Sequence, residues 1–237
     1  MIDLFKNKKI MLVVAHPDDE ILGLGATMHK LIHQFQNNVH VIILGEGITS
    51  RGDVRNRDNW GKELERHKRN ICDAQKAIGF QSLSIYEFPD NRFDSIPLLD
   101  IIKVIEKEKK DFMPDVIFTH HGGDLNIDHQ KTFEAVLTAC RPLETEKVKT
   151  IITFETPSGT EWKASTNPHH FIPNLFIEVS DENLNSKIMA MESYEFEKRN
   201  FPHPRSPKAL KILAQRWGVS IGCNYAEAFC LVRSINS

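Results

Sequence analysis

The sequence predicts a single α/β domain with a Rossmann-like, mostly parallel twisted sheet and helices on both faces. Short continuous apolar runs alternate with amphipathic segments through the first half of the chain, which is the pattern of buried parallel strands joined by helices. A length of 237 residues suits one large α/β domain. No repeat, low-complexity tract or linker divides the chain, so residues 1–237 are expected to form one domain whose irregular C-terminal part completes the same fold.

The first half of the chain alternates four predicted strands with four predicted helices. The strands are expected at 10–14, 39–44, 83–88 and 116–119. Apolar spacing marks helices near 28–35, 98–105 and 133–140, and a polar segment at 58–78 ends at Gly79, a favourable helix C-cap. In a doubly wound sheet of this kind, the first and fourth strands are neighbours, and their carboxyl ends flank the point where ligands bind.

The second half of the chain is less regular. Strands are expected at 151–155, 176–179 and 229–232. A helix is expected at 181–196 with Ser180 as its N-cap, and another begins at Ser206, which is followed by Pro207 in the first turn.

The composition excludes several classes of protein. The 30 basic and 32 acidic residues nearly balance, which argues against a nucleic-acid partner or a polybasic membrane binder. No window approaches the length of apolar sequence that a transmembrane helix needs, and the N-terminus has no signal-peptide pattern. The four cysteines form no Cys-x-x-Cys pair, so we expect a reduced, cytoplasmic protein whose cysteines are buried small side chains.

Two polar clusters contain the candidate catalytic and metal-binding residues of the sequence. The first, residues 15–20 (Ala-His-Pro-Asp-Asp-Glu), follows the first predicted strand. Its adjacent acids repel unless a cation or hydrogen bonds stabilise them, and His and Asp are ligands of Zn²⁺. The alternative is a turn in which Asp18 or Asp19 caps the next helix and His16 has no special role.

The second cluster, residues 120–129 (His-His-Gly-Gly-Asp-Leu-Asn-Ile-Asp-His), follows the fourth strand. By itself it is better explained as a polar glycine-containing loop with Asp128 near a helix start. Because the carboxyl ends of the first and fourth strands meet at the switch point, we expect the two clusters to converge on one crevice. His120 and His121 are ambiguous, since either could line this crevice or have no role in it.

Together the two motifs resemble the PIG-L/LmbE family of zinc-dependent de-N-acetylases of N-acetylated amino sugars. The likeness rests on His16-Pro17-Asp18-Asp19-Glu20 and Asn126-x-Asp128-His129, and it extends over nearly the whole chain to Tyr225-Ala226-Glu227-Ala228-Phe229. It implies a hydrolase with bound Zn²⁺, or another divalent transition metal, that acts on a small-molecule or glycoconjugate substrate of the N-acetylglucosamine type. It is also compatible with assembly into a homo-oligomer.

The resemblance also implies roles for individual residues. His16, Asp19 and His129 correspond to the metal ligands, and Asp18 corresponds to the general base. Asp128 would be the outer carboxylate beside His129. A carboxylate held off the metal but within reach can take a proton from water and later return it to the leaving amine.

The chain departs from the family pattern at two positions. Asn126 replaces a histidine that stabilises the oxyanion in several relatives, and an amide can donate a hydrogen bond but cannot act as an acid. We therefore nominate His203, in a proline-framed loop, as the second acid; a plain surface histidine is the alternative. His67 stands where relatives often carry an arginine on the second helix.

Two further residues are candidates for substrate contacts. Arg51 follows the second strand and is suited to a sugar hydroxyl or phosphate, although a solvated arginine explains it as well. Trp162 follows the fifth strand and could stack on a pyranose ring, or simply pack into a surface turn.

A different function on the same fold is the main alternative. A non-catalytic nucleotide- or sugar-binding module would use the same crevice without chemistry. A dinucleotide is disfavoured because Gly23 and Gly25 follow the acidic cluster and no Gly-x-Gly-x-x-Gly occurs in the first turn. A serine hydrolase is excluded because no Gly-x-Ser-x-Gly motif occurs.

Overall fold

The computed structural model describes residues 2–235, which contain seven strands and seven helices. The strands are β1 (Lys9–Val14), β2 (Asn38–Gly45), β3 (Ser82–Phe88), β4 (Val116–His120), β5 (Thr150–Phe154), β6 (Leu175–Glu178) and β7 (Ala226–Ser234). The helices are α1 (Ile2–Phe5), α2 (Asp19–His33), α3 (Gly61–Ile78), α4 (Leu98–Phe112), α5 (Ile127–Ala139), α6 (Asp181–Glu192) and α7 (Pro207–Ile221). Every predicted strand and helix is present, α1 is additional, and α6 ends earlier than residue 196.

All seven strands form one sheet in the order β3-β2-β1-β4-β5-β7-β6. Strands β1 to β5 pair in parallel, whereas β7 runs antiparallel to both β5 and β6. In the register, Leu12 lies between Val41 of β2 and Phe118 of β4. The predicted adjacency of β1 and β4 is therefore confirmed, and the chain reverses its winding direction between them.

Strand β1 is buried on both faces of the sheet, which explains its uninterrupted apolar sequence. Leu12 and Val14 belong to the core formed with α2, α3 and α6, whereas Met11 and Val13 belong to the core formed with α4 and α5. Each such buried side chain contributes about 1.5–3 kcal/mol of transfer free energy. The residues that follow β1 are thus held at the carboxyl edge of the sheet by a rigid support.

Helix α2 approaches β5 so closely that only glycine fits at position 23. A Cβ on Gly23 would lie 2.2 Å from Cδ2 of Phe154. Leu24 then has non-helical backbone angles (φ −150°, ψ 25°) and kinks the helix. Beside the kink, the buried Lys187 donates to the carbonyl of Leu22 at 2.8 Å and to the carboxylate of Glu227. These contacts fix where α2 begins.

The helix N-termini predicted in the second half of the chain are confirmed. Ser180 caps α6 in a capping box with Asn183, and the Ser206 hydroxyl accepts from the backbone N–H of Ala209 at the start of α7, with Pro207 in its first turn. Within residues 2–235, none of the helices combines the length and the apolar character needed to cross a membrane.

All four cysteines lie in the described part of the chain as free thiols. Only Cys140 is buried; Cys72 is exposed, and Cys223 and Cys230 are partly exposed. The expectation of buried small side chains is therefore correct for Cys140 and wrong for the other three.

Candidate active site

The carboxyl ends of the central strands open into a cleft of about 170 Å³. Its lining comes from the segments that follow β1, β2, β3, β4 and β5, and from Glu197 and Arg205. His16 and His129, one from each sequence cluster, both line it. The predicted convergence of the two clusters is thus observed.

Three buried side chains form a candidate metal site in this cleft. His16 lies two residues after the end of β1, Asp19 is the first residue of α2, and His129 lies in the first turn of α5. Their ligand atoms all lie within 4.8 Å of one another. Oδ2 of Asp19 is 3.4 Å from Nδ1 of His16 and 3.4 Å from Nε2 of His129. The structure therefore brings together the three residues that the sequence nominates as ligands.

Each histidine of this set has a second carboxylate on its outer nitrogen. Nε2 of His16 lies 2.8 Å from Oδ2 of Asp128, and Nδ1 of His129 lies 3.2 Å from Oδ1 of Asp124. Asp128 is itself held by the backbone N–H of Phe93 at 2.9 Å. The partner of Asp128 is thus His16 and not its neighbour His129, which corrects the sequence-based placement.

The geometry of the helix explains this correction. Successive residues of an α-helix are about 100° apart around the axis, so Asp128 and His129 cannot face each other. His129 instead meets Asp124, which lies in the loop before α5 and which the sequence analysis did not single out. Asp124 belongs to the quoted second motif, so its presence there was the available signal.

This donor set suits a divalent transition metal. A carboxylate on the outer nitrogen orients a ligating imidazole and strengthens its basicity. Two inner nitrogens and the Asp19 carboxylate then match the three protein ligands of a catalytic zinc site. Burial lowers the pKa of His129, but the charges of Asp19 and Asp124 outweigh it and raise the pKa to about 9.

A second group, His16 with Asp90 and Asp128, also places its ligand atoms within 4.8 Å. It would need Nε2 of His16, which already serves Asp128 at 2.8 Å. Asp90 accepts instead from the backbone N–H of Ser50 and from the Asn91 amide. The first set is therefore the better candidate for a metal site.

Asp18 lies at the N-cap of α2 but does not cap it. Its backbone is left-handed (φ 100°, ψ −26°), and its side chain makes no capping hydrogen bond. Oδ2 is buried without a hydrogen-bond partner and lies 3.0 Å from Nη1 of Arg205. Burial raises the pKa of Asp18 well above its usual range, although the charge of Arg205 opposes this. A raised pKa makes the ionised form of this carboxyl group a stronger base.

The backbone N–H of Asp18 is held by a chain of buried hydrogen bonds. Its N–H donates to Oε2 of Glu20 at 3.0 Å, and Oε1 of Glu20 accepts from the hydroxyl of Tyr194. Both Glu20 and Tyr194 are fully buried. Burial raises the pKa of Glu20 to about 7, against the opposing effect of the Tyr194 hydrogen bond.

His120 supports the metal site without being a ligand. Nε2 accepts from the backbone N–H of Ala15 at 3.0 Å, so Nδ1 carries the hydrogen and donates to Oγ1 of Thr156 at 3.0 Å. The ring stacks on His129 with centroids 3.9 Å apart. Burial lowers the pKa of His120 to about 4. This neutral ring therefore fixes the orientation of His129.

Asn126 lines the cleft and also caps α5. Its Oδ1 accepts from the backbone N–H of Asp128 at 2.8 Å, and its Nδ2 donates to Oδ1 of Asn91 at 3.0 Å. One amide hydrogen remains for a substrate.

His203 and Trp162 lie together outside the cleft lining. Their rings meet edge to face with centroids 5.7 Å apart, and the Trp162 side chain is exposed. Nδ1 of His203 accepts from the backbone N–H of Arg205 at 3.2 Å. Burial and the charge of Arg205 lower the pKa of His203. From this loop, Arg205 reaches the cleft.

Arg51 and Arg205 line the cleft and share one carboxylate. Nη2 of Arg51 and Nη1 of Arg205 donate to the two oxygens of Glu197. Arg51 also donates to the carbonyl of Phe196 at 3.1 Å, and Nε of Arg205 donates to Oγ of Ser158 at 2.8 Å. The sequence analysis missed Arg205 and Glu197. The position of Arg205 beside His203 was a signal, whereas Glu197 belongs to no motif.

His67 also lines the cleft, on α3. Neither ring nitrogen has a hydrogen-bond partner, and the ring packs edge-on against Tyr194 and Phe196. Burial lowers its pKa to about 4. The ring is therefore uncharged near neutral pH, at a position where relatives often carry a charged arginine.

The family model described as GlcNAc-PI de-N-acetylase (PIG-L) matches residues 11–140 of the chain. This segment is more than half of the 237 residues and contains both motifs. The chain therefore belongs to the PIG-L family and is a de-N-acetylase.

Two relatives are similar along most of their length. The uncharacterised deacetylase YaiS of Escherichia coli K12 is 28% identical over 197 residues, covering 80% of this chain and 92% of its own. The diacetylchitobiose deacetylase of Thermococcus kodakarensis is 25% identical over 237 residues, covering 96% and 84%.

Solved structures share the fold. Teicoplanin deacetylase Orf2 superposes with a TM-score of 0.72 at 17% identity, covering 97% of this chain and all of its own. The 4-carboxy-2-hydroxymuconate hydratase GalB of Pseudomonas putida KT2440 superposes with a TM-score of 0.69 at 18% identity, covering 97% and 98%. Since one is named a deacetylase and the other a hydratase, the fold alone does not decide the reaction.

Proposed function

We propose that this chain is a metal-dependent hydrolase that removes the acetyl group from an N-acetylated amino sugar of the N-acetylglucosamine type, either free or in a glycoconjugate. The observation that supports this most directly is the buried set His16, Asp19 and His129 with the unpartnered carboxylate oxygen of Asp18 in the same cleft. The substrate class follows the name of the Thermococcus relative, a diacetylchitobiose deacetylase.

Zn²⁺ is the metal that two imidazoles and one carboxylate suit best, and another divalent transition metal also fits. When bound, it polarises the amide carbonyl and lowers the pKa of water towards about 7. Asp128 and Asp124 hold the outer nitrogens of His16 and His129, and thereby orient the two rings.

Asp18 moves the proton. Its Oδ2 takes a proton from the attacking water and returns it to the nitrogen of the sugar as the C–N bond breaks, so that acetate and a free amine leave. The left-handed backbone turns this side chain away from a capping role in α2. Arg205 beside it, and the remaining amide hydrogen of Asn126, are donors for the oxyanion.

The outer parts of the site suit the rest of a sugar conjugate. Arg51, at the cleft, can donate to a sugar hydroxyl. The exposed ring of Trp162, with His203 against its edge, can stack on a pyranose outside the cleft.

The test combines elemental analysis with product detection. Purified protein is analysed for bound metal and incubated with a panel of N-acetylglucosamine, diacetylchitobiose and larger conjugates, and acetate and free amine are measured. We expect bound transition metal and equimolar release of both products, abolished by a chelator. Sugar binding with no acetate from any substrate in metal-loaded protein would favour a non-catalytic binding module instead.

A further inference from the structure

Glu197 compensates the charge of both arginines in the cleft. Its side chain is nearly buried, and each of its carboxylate oxygens accepts from one guanidinium, Arg51 or Arg205. The two segments that carry these arginines are far apart in sequence, so the shared carboxylate is a feature of the tertiary structure. Neither arginine faces the cleft as an unpaired cation.

The other charged groups of the cleft supply no uncompensated positive charge either. Apart from the proposed metal ligands His16 and His129, the charged residues among the described residues that line it are the anions Asp18, Asp90 and Glu197 and the cations Arg51 and Arg205. Three carboxylates thus face two guanidinium groups, so these groups supply no excess of positive charge. His67 adds no charge near neutral pH, because burial lowers its pKa to about 4.

A phosphate or carboxylate on the sugar ring would therefore meet no free cation away from the metal. Recognition of such anions relies on bidentate, charge-assisted hydrogen bonds from arginine. Here the guanidinium groups already serve Glu197, and Nε of Arg205 serves Ser158. An anion would have to displace the nearly buried carboxylate of Glu197 from one of the guanidinium groups, and separation of its pair with the partly buried Arg205 is costly.

We propose that Glu197 is a specificity-determining residue that restricts the cleft to amino sugars without an anionic group on the ring that enters it. The inference rests on the proposed function and narrows its substrate class to free sugars and neutral glycosides. Sugar phosphates and nucleotide sugars, with phosphate directly on that ring, are disfavoured. A phosphate farther along a conjugate lies outside the cleft and is not affected.

The variant Glu197→Gln tests this as a gain of function. The amide keeps the shape of the side chain but leaves one guanidinium charge uncompensated. We measure kcat/KM for N-acetylglucosamine and its 6-phosphate, and, independently of turnover, the Kd of glucosamine and glucosamine 6-phosphate by calorimetry. The native protein should prefer the neutral compound, and the variant should shift both ratios towards the phosphate by about tenfold, equivalent to about 1.4 kcal/mol.

Glu195→Gln is the matched control. It changes the net charge equally two residues away, but Glu195 pairs with Arg66 on the surface, where the side chains are 42% and 52% exposed. Its ratios should equal those of the native protein. A native protein that prefers the phosphate, or a Glu197→Gln protein with the same ratios as Glu195→Gln, would overturn the inference. If no sugar is deacetylated, the proposed function fails, and the Kd ratios still decide the role of Glu197.

Discussion

The imidazole of His16 and the carboxylate of Asp128 are joined at 2.8 Å between residues 112 positions apart in the chain. The contact leaves Nδ1 of His16 directed at Asp19. On the other side of the site, Asp124 lies against Nδ1 of His129, whose Nε2 faces Asp19. Each imidazole of the proposed ligand set thus lies against its own outer carboxylate. The contribution of the two outer acids to metal binding can therefore be tested by substitution, as it can for the proposed ligands.

We expect Asp128→Asn and Asp124→Asn each to weaken metal binding about 10- to 100-fold, because the loss of an outer carboxylate releases the ring and lowers its basicity. Metal affinity is measured by competition with a chromogenic chelator. Asp111→Asn, on the exposed surface of α4, serves as the control. Unchanged affinity in both variants would remove these acids from the metal site. Asp19→Ala and His129→Ala should lose the metal and the activity together.

Asp18→Asn should retain the metal and lose turnover. The amide is nearly isosteric, so the ligand geometry survives, while the proton acceptor is gone. A general base contributes about a hundred- to ten-thousand-fold, and kcat should fall within that range at unchanged metal content. A variant that keeps more than about a tenth of native kcat would be incompatible with this role.

Arg205→Gln should reduce kcat more than His203→Ala does. Arg205 lines the cleft and lies 3.0 Å from Oδ2 of Asp18, whereas His203 packs against Trp162 outside the lining. Loss of one charged donor at a developing oxyanion costs about a hundred- to a thousand-fold in kcat. Both variants are compared for kcat, KM and metal content. The opposite order, with loss of the alkaline limb of the pH–rate profile in His203→Ala, would assign the second acid to His203.

Gly23→Ala should destabilise the protein, because its Cβ would overlap the ring of Phe154 at 2.2 Å. Overpacking of this kind costs about 1–3 kcal/mol. Gly61→Ala is the matched control, since a Cβ there meets nothing within 4 Å and the backbone is helical (φ −55°, ψ −43°). It should stabilise the protein by about 0.4–1 kcal/mol. Chemical denaturation measures both; equal effects would contradict the close approach of α2 to β5.

Glu155 should make the stability fall between weakly acidic and neutral pH. Burial raises its pKa from 4.5 to about 7, against the opposing hydrogen bond from Nε1 of Trp217. Between these values the native state keeps a proton that the unfolded chain has released, so stability decreases as the pH rises. Glu155→Gln should remove about 1–3 kcal/mol of this decrease, measured by denaturation at pH 5 and pH 8. The exposed Glu144→Gln should leave the pH dependence unchanged; if Glu155→Gln does so too, the carboxyl titrates normally.

Much of the fold was predictable because its signals are local. The buried run of β1, the Gly79 cap of α3 and the Ser206 start of α7 each depend on a few adjacent residues. The winding rule predicted that the two motifs meet at one crevice, and the resemblance to the PIG-L/LmbE family supplied the proposed ligand set His16, Asp19 and His129. The roles assigned to these residues remain predictions.

The sequence by itself determined the alternating strands and helices and the two motifs of the site, because backbone propensity and apolar periodicity act over a few residues. The tertiary structure alone decided which acid meets which histidine, that Arg205 rather than His203 lines the cleft, and that Glu197 neutralises two arginines. Contacts between residues distant in the chain depend on strand register, helix rotation and loop paths. A rotation of about 100° per helical residue is enough to exchange one partner for another.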